Sequence, residues 1–191
     1  MAVTAPDKLH FTGNDGADEL LAHEPLALLI GFALDQQVTV QKAFAGPLEL
    51  ERRLGSLDAA RIAGMDAGEL EEAFRQKPAI HRFPGAMAGR VQELCRAVVS
   101  EYGGDAGRVW RDARDGDELR RRIAALPGFG EMKVKSLGAV LAKRFGVETA
   151  APLVPPHPTL GDVDSVEALN AYQAAKRAHK AAVRAGREGT W

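Results

Sequence analysis

Cysteine is almost absent from this chain of 191 residues, where Cys95 stands alone. That excludes an internal disulfide framework, a multi-cysteine zinc site and a four-cysteine iron–sulfur cluster built from this chain. Aromatic residues make up only 6% of the sequence, so the core must be mostly aliphatic. Neither sign of charge dominates: 25 Lys and Arg stand against 26 Asp and Glu, a net charge of −1. Bulk electrostatics therefore argues for neither nucleic acid nor a membrane, and such a partner would have to meet a local basic patch. Long apolar runs are missing too. The longest, Leu26 to Leu34, is too short to span a bilayer, and Met1 to His10 carries no apolar core of signal-peptide length. The expectation is a soluble protein of the reducing cytoplasm, near the nucleoid if the cell is bacterial, with no membrane partner.

What is present is ordinary for one globular core: 46% apolar and 27% charged residues. Abundant Ala, Leu, Arg and Glu favour helix, and the expected class is all-α. Four segments are expected: an N-terminal segment 1–24, a helical domain 25–147, a Pro-rich connector 148–164 and a basic terminal helix 165–191. Pro25 suits the first turn of a helix that is apolar all round to Leu34 and therefore central. A second helix enters through Thr39 and is expected to break at Gly46-Pro47; Pro47 can open a further short helix, which Gly55 ends. Ser56 is expected to start a short helix through Ile62, and Asp66 with Glu69 another reaching Phe74. Val91, Leu94, Cys95, Val98 and Tyr102 mark an amphipathic helix from Met87, stopped by Gly103-Gly104. Asp115 to Glu118 opens a helix carrying Leu119, Ile123 and Leu126 inward. The last helix, Val166 to about Ala185, is expected to be capped by Asp164.

Leu126-Pro127-Gly128-Phe129-Gly130 joins two of these helices. Two glycines permit a tight turn that presents backbone N–H groups just where the next helix begins, a geometry that captures phosphate. Lys133 and Lys135 lie one turn on, and Glu131 has the opposite sign. A plain helix corner with glycine caps is the structural alternative.

With this hairpin about ninety residues after Asp35-Gln36-Gln37-Val38-Thr39, the stretch from Pro25 to Val147 resembles the helix–hairpin–helix DNA glycosylase superfamily, endonuclease III-like, in a short form without the iron–sulfur loop. The segment from Ala88 to Gly104 carries part of the likeness. The resemblance implies a glycosylase-like helical bundle and a partner, duplex DNA, with one base flipped into a pocket between helical subdomains. It implies phosphate or DNA contact by Gly128, Phe129, Gly130, Lys133 and Lys135, a place for Gln36 and Gln37 near the vacated base stack, and room for a monovalent or divalent cation at the hairpin. No other cofactor is expected.

Three departures qualify that likeness. The lysine of lyase-competent members corresponds to Met132, which cannot form a Schiff base; Lys133, one step round the helix, is expected to point away. The aspartate expected about twenty residues past Gly130 is Ala150, so Glu148, Asp162 and Asp164 become the candidate catalytic carboxylates, with Asp35 an outside candidate beside the Gln pair. Beyond Val147 the chain has one long helix. Between Ala171 and Arg187 it carries Lys176, Arg177, Lys180, Arg184 and Arg187 with no acidic residue, a candidate phosphate-contacting element; Lys176, Arg177 and Lys180 are its leading contacts. Arg82 beside Phe83 could stack on an unpaired base. His10, His23, His81, His157 and His179 lack metal-site spacing and read as surface or loop residues, while Trp110 reads as core. The leading expectation is a monofunctional DNA glycosylase of base-excision repair, acting with water. The alternatives are a non-catalytic lesion-binding module on the same fold and an enzyme of free nucleosides or another small substrate.

Overall fold

The apolar segment after Pro25 sets the architecture. In the computed structural model, which describes residues 4–186, it forms a helix, Pro25–Leu34, in which every residue from Leu26 to Leu34 is buried. Each of its large aliphatic side chains contributes roughly 1.5–3 kcal/mol by leaving water. Around it the described residues form only helices, and the class is all-α. In chain order they are α1 (Asp15–His23), α2 (Pro25–Leu34), α3 (Val40–Leu54), α4 (Ala59–Gly64), α5 (Ala67–Arg75), α6 (Pro84–Tyr102), α7 (Arg108–Arg111), α8 (Gly116–Ala124), α9 (Glu131–Phe145) and α10 (Val166–Arg184). Short 310 turns occupy Glu148–Leu153 and Leu160–Asp162. None of the described helices is long and apolar enough to cross a membrane.

The N-terminal segment belongs to the same core, to which Leu9, Phe11 and Leu21 contribute. Phe11 and Phe32 each meet the Phe44 ring edge-on, with centroids 5.0 Å apart. Trp110 is buried as expected.

Several boundaries differ from the sequence expectation. α3 runs unbroken through Gly46-Pro47. Interior proline costs about 3 kcal/mol, but α3 buries Val40, Ala43, Phe44, Pro47 and Leu50 on one face, and that burial offsets the loss. Asp58 caps α4 through the Arg61 amide, displacing the expected start at Ser56. Asp66 caps α5 as expected. α6 begins three residues earlier than Met87, at Pro84, whose fixed φ suits a first helical position. Ser165, not Asp164, caps α10.

The proline-rich connector is packed rather than a bare spacer. Leu153, Leu160 and Val163 are buried against the body. A Cβ on Gly161 would lie 2.5 Å from the Ala139 carbonyl oxygen, so glycine is what lets the second 310 turn rest on α9. α10 is held more thinly. Leu169 is its one buried residue, Tyr172 packs partly against the core, and Gln173 and Gln41 on α3 exchange amide hydrogen bonds of 2.6 and 3.1 Å. Arg187, the last of the five expected basic positions, lies outside the described residues.

Candidate functional site

Because α2 is buried throughout, its C-terminal turn is carried into the body of the protein, and Asp35 ends half-buried there. His81 fixes this turn. Its Nδ1 accepts from the Phe83 amide at 3.1 Å, so the proton sits on Nε2, which donates to the Leu34 and Gln36 carbonyls at 3.2 and 3.1 Å. Gln37 comes next, in the left-handed region at φ 57°, uncommon for a side chain of its size. Gln36 donates to Met87 Sδ at 3.4 Å, while Gln37 is exposed.

His81 is thus a buried structural residue of a loop, which agrees with the loop alternative of the sequence reading and not with the surface one. Its distance from any metal-like spacing said nothing about the two carbonyls it serves. Burial pushes its pKa below the ordinary value. A depressed base gives stability that is complete above the unfolded pKa of about 6.5 and is lost as pH falls below it. Thermal melts at pH 7.5 and 5 are expected to show a smaller acid-induced drop in Tm for His81→Gln than for the unaltered protein, on a lower baseline. Equal drops would remove His81 from this role.

The hairpin faces that turn. Gly128 adopts φ +83°, and a Cβ there would come 2.8 Å from Arg90 Cδ, so the Arg90 side chain of α6 lies directly against the turn. α9 then starts at Gly130 without a side-chain cap, whereas Asp115 and Ser165 cap α8 and α10. Its first-turn N–H groups are therefore available to an anion. Glu131 is neutralised by Arg120 and by Lys135, whose Nζ is 3.6 Å away.

Lys133 is turned inward relative to its neighbour Met132, although both border the same pocket. The residue stands beside buried Val134 and one turn before buried Leu137, on the flank of the stripe that packs inward. Its Nζ donates to the Ala33 carbonyl at 3.3 Å and lies 5.9 Å from the Phe129 ring centroid. Met132 is the outward residue, 75% exposed. Burial lowers the Lys133 pKa, with Arg90 adding to the effect and Asp35 opposing it. Burial likewise raises that of Asp35 against the pull of Lys176, Lys133 and Lys180.

Asp35 and Lys133 share a pocket of about 300 Å³ with Phe32, Lys135, Tyr172 and Lys176. Asp35 is the only carboxylate among the described residues lining it. Along α10, Lys176 and Lys180 continue the rim beside Met132; Arg177, exposed, borders neither this pocket nor its neighbour. On the other side of the turn, exposed Phe83 carries the Arg82 guanidinium 4.9 Å from its ring centroid.

The three carboxylates expected downstream lie elsewhere. Glu148 is exposed and lines a separate depression with Arg111 and Thr149. Asp162 closes a capping box with Thr159 and pairs with Lys143; burial works upward on its carboxyl, but these partners hold it below the usual range. Asp164 is exposed. Tyr172 and Arg90 carry no site motif in the sequence. The i, i+4 spacing of Tyr172 with Lys176 was the available signal for the first, and nothing local announced the second. Among the described residues no group of three His, Cys, Asp or Glu side chains is arranged to hold a metal. No known family model matches the chain, and no curated protein matches it.

Proposed function

We propose that this protein releases a damaged base from duplex DNA by cleaving its N-glycosidic bond, on a glycosylase-like helical bundle. The observation that carries the reading is the half-buried Asp35 as sole carboxylate of a lysine-lined pocket beside the uncapped hairpin helix. In this mechanism the N–H groups after Gly130 and the Lys135 ammonium hold a backbone phosphate. Gln37 and Phe83 enter the stack that the flipped base vacates. Asp35 stabilises the positive charge that develops on the sugar as the bond to the base breaks, and it takes a proton from the attacking water. A carboxyl made more basic by burial suits that second task.

A second reading is favoured by one observation: the desolvated Lys133 amine opens on the same pocket as Asp35. A lysine with lowered pKa attacks the sugar carbon as a nucleophile, and the strand is then cut without added alkali. One experiment separates the readings. Duplexes bearing single alkylated, deaminated, oxidised or abasic sites are incubated with the protein and assayed with and without alkali, and in the presence of borohydride. Alkali-dependent breaks at one lesion are expected. Alkali-independent breaks, with a borohydride-trapped adduct lost in Lys133→Gln, would select the second reading. Salt-sensitive binding without any release would leave a lesion-binding module.

A further inference from the structure

The charge of the pocket discriminates among leaving bases. Lys133, Lys135 and Lys176 line it against the single carboxylate of Asp35, and Lys180 acts on Asp35 from the next turn of α10. Even with Asp35 ionised and Lys135 paired with Glu131, the Lys133 and Lys176 ammonium groups leave the pocket net positive. Phe32 and Tyr172 supply aromatic surface, and the Lys176 ammonium lies 5.7 Å from the Tyr172 ring centroid.

We propose that this pocket takes a neutral base with lactam C=O and N–H groups and favours its departure as an anion, so that the substrates are deaminated or oxidised bases rather than cationic alkylated ones. The proposal rests on the base-excision reading and narrows it. A base that already carries a positive charge meets like charge on entering and loses it on leaving, so the lysines oppose its binding and give its departure no help. A neutral base gains negative charge as the glycosidic bond breaks, because the bonding electron pair goes to its nitrogen. The same lysines then stabilise the product side of the reaction more than the substrate. Water adds its oxygen to the sugar carbon, its proton passes to the Asp35 carboxylate, and that proton is returned to the anionic base on release.

Tyr172 has a specific place in this scheme. Burial foremost, then the charges of Asp35 and Asp162, push its phenol up to about 12. It remains a hydrogen-bond donor at neutral pH, able to serve a base carbonyl in which charge accumulates. α10 therefore contributes recognition through Tyr172 and Lys176 as well as backbone charge.

The test uses the full chain with duplexes carrying one uracil, hypoxanthine, oxoguanine or guanine methylated on its imidazole nitrogen. Equilibrium binding and single-turnover release are both measured, for the unaltered protein, Tyr172→Phe and Lys176→Gln. At least one duplex bearing a neutral base is expected to exceed the cationic methylated one by about tenfold in binding or release. Lys176→Gln is expected to narrow that ratio, and Tyr172→Phe to slow release without changing affinity for undamaged duplex. Preference for the methylated guanine would overturn the pocket assignment while leaving glycosidic cleavage standing. A preference for the neutral bases in binding with no release from any duplex would do the reverse. Equal binding to all four duplexes, with neither variant altering it and no release, would overturn both.

Discussion

Asp35→Asn is expected to reduce base release by roughly 100- to 10,000-fold, the range for losing a positioned acid–base group, while duplex affinity holds or rises. The amide is nearly isosteric with the carboxyl and fits the same turn. What it removes is the only negative charge facing Lys133 and Lys176 across the pocket, so attraction for phosphate is not impaired. The pH profile supplies a second readout. Burial raises the Asp35 carboxyl above its ordinary value, against Lys176, Lys133 and Lys180, so the acid limb of the native rate should fall at higher pH than for an ordinary aspartate. Stability contributed by a raised carboxyl is present at low pH and lost as pH rises through its folded value, so this acid limb is not a symptom of unfolding at Asp35. The residual rate of Asp35→Asn should lack the limb. An unchanged rate in that variant would remove Asp35 from the chemistry.

The double change Lys176→Ala, Lys180→Ala is expected to flatten the dependence of log affinity on log salt by about 1.8, two phosphate contacts at roughly 0.9 each. Arg177→Ala, one position round the helix from Lys176, is expected to leave the slope where it was. The difference comes from the faces of α10: Lys176 and Lys180 border Met132 at the start of α9, and Arg177 does not. Binding titrations from low to moderate salt decide it. A slope that responds equally to all three residues would mean that α10 acts as a diffuse positive rod with no preferred face.

Much of the helical layout could be read from the residues themselves. Pro25, Asp66, Asp115 and Gly103 each begin or end a helix through local chemistry, and local chemistry is what a sequence displays. Pro47 shows the limit. Its breaking tendency was visible, but the partners that bury α3 come from other parts of the chain. The hairpin was legible for the same reason as the caps, since Gly128, at φ +83°, is needed by the turn itself, whereas Gly130, in extended backbone with open space where a Cβ would stand, is not. The inward turn of Lys133 could have been read from its place beside the Val134–Leu137 stripe. Asp35 became the central carboxylate only once α10 brought Lys176 and Tyr172 to it from about 140 residues away. Spacing rules that look downstream of the hairpin led instead to Glu148, Asp162 and Asp164, which serve surface and capping roles or none that the fold discloses.

The thin anchorage of α10 links folding to occupancy. One wall of the pocket is a helix whose contacts with the body include Leu169, part of Tyr172 and a reciprocal glutamine pair. Any ligand that touches Asp35 on one side and Tyr172 on the other binds only the docked arrangement, and by mass action it adds its own binding free energy to the docking of that helix. At a concentration a hundred times its dissociation constant this amounts to about 2.7 kcal/mol. The docking of the last helix and the filling of the pocket are then one equilibrium, and under the proposed function the recognition surface would be completed in the act of binding.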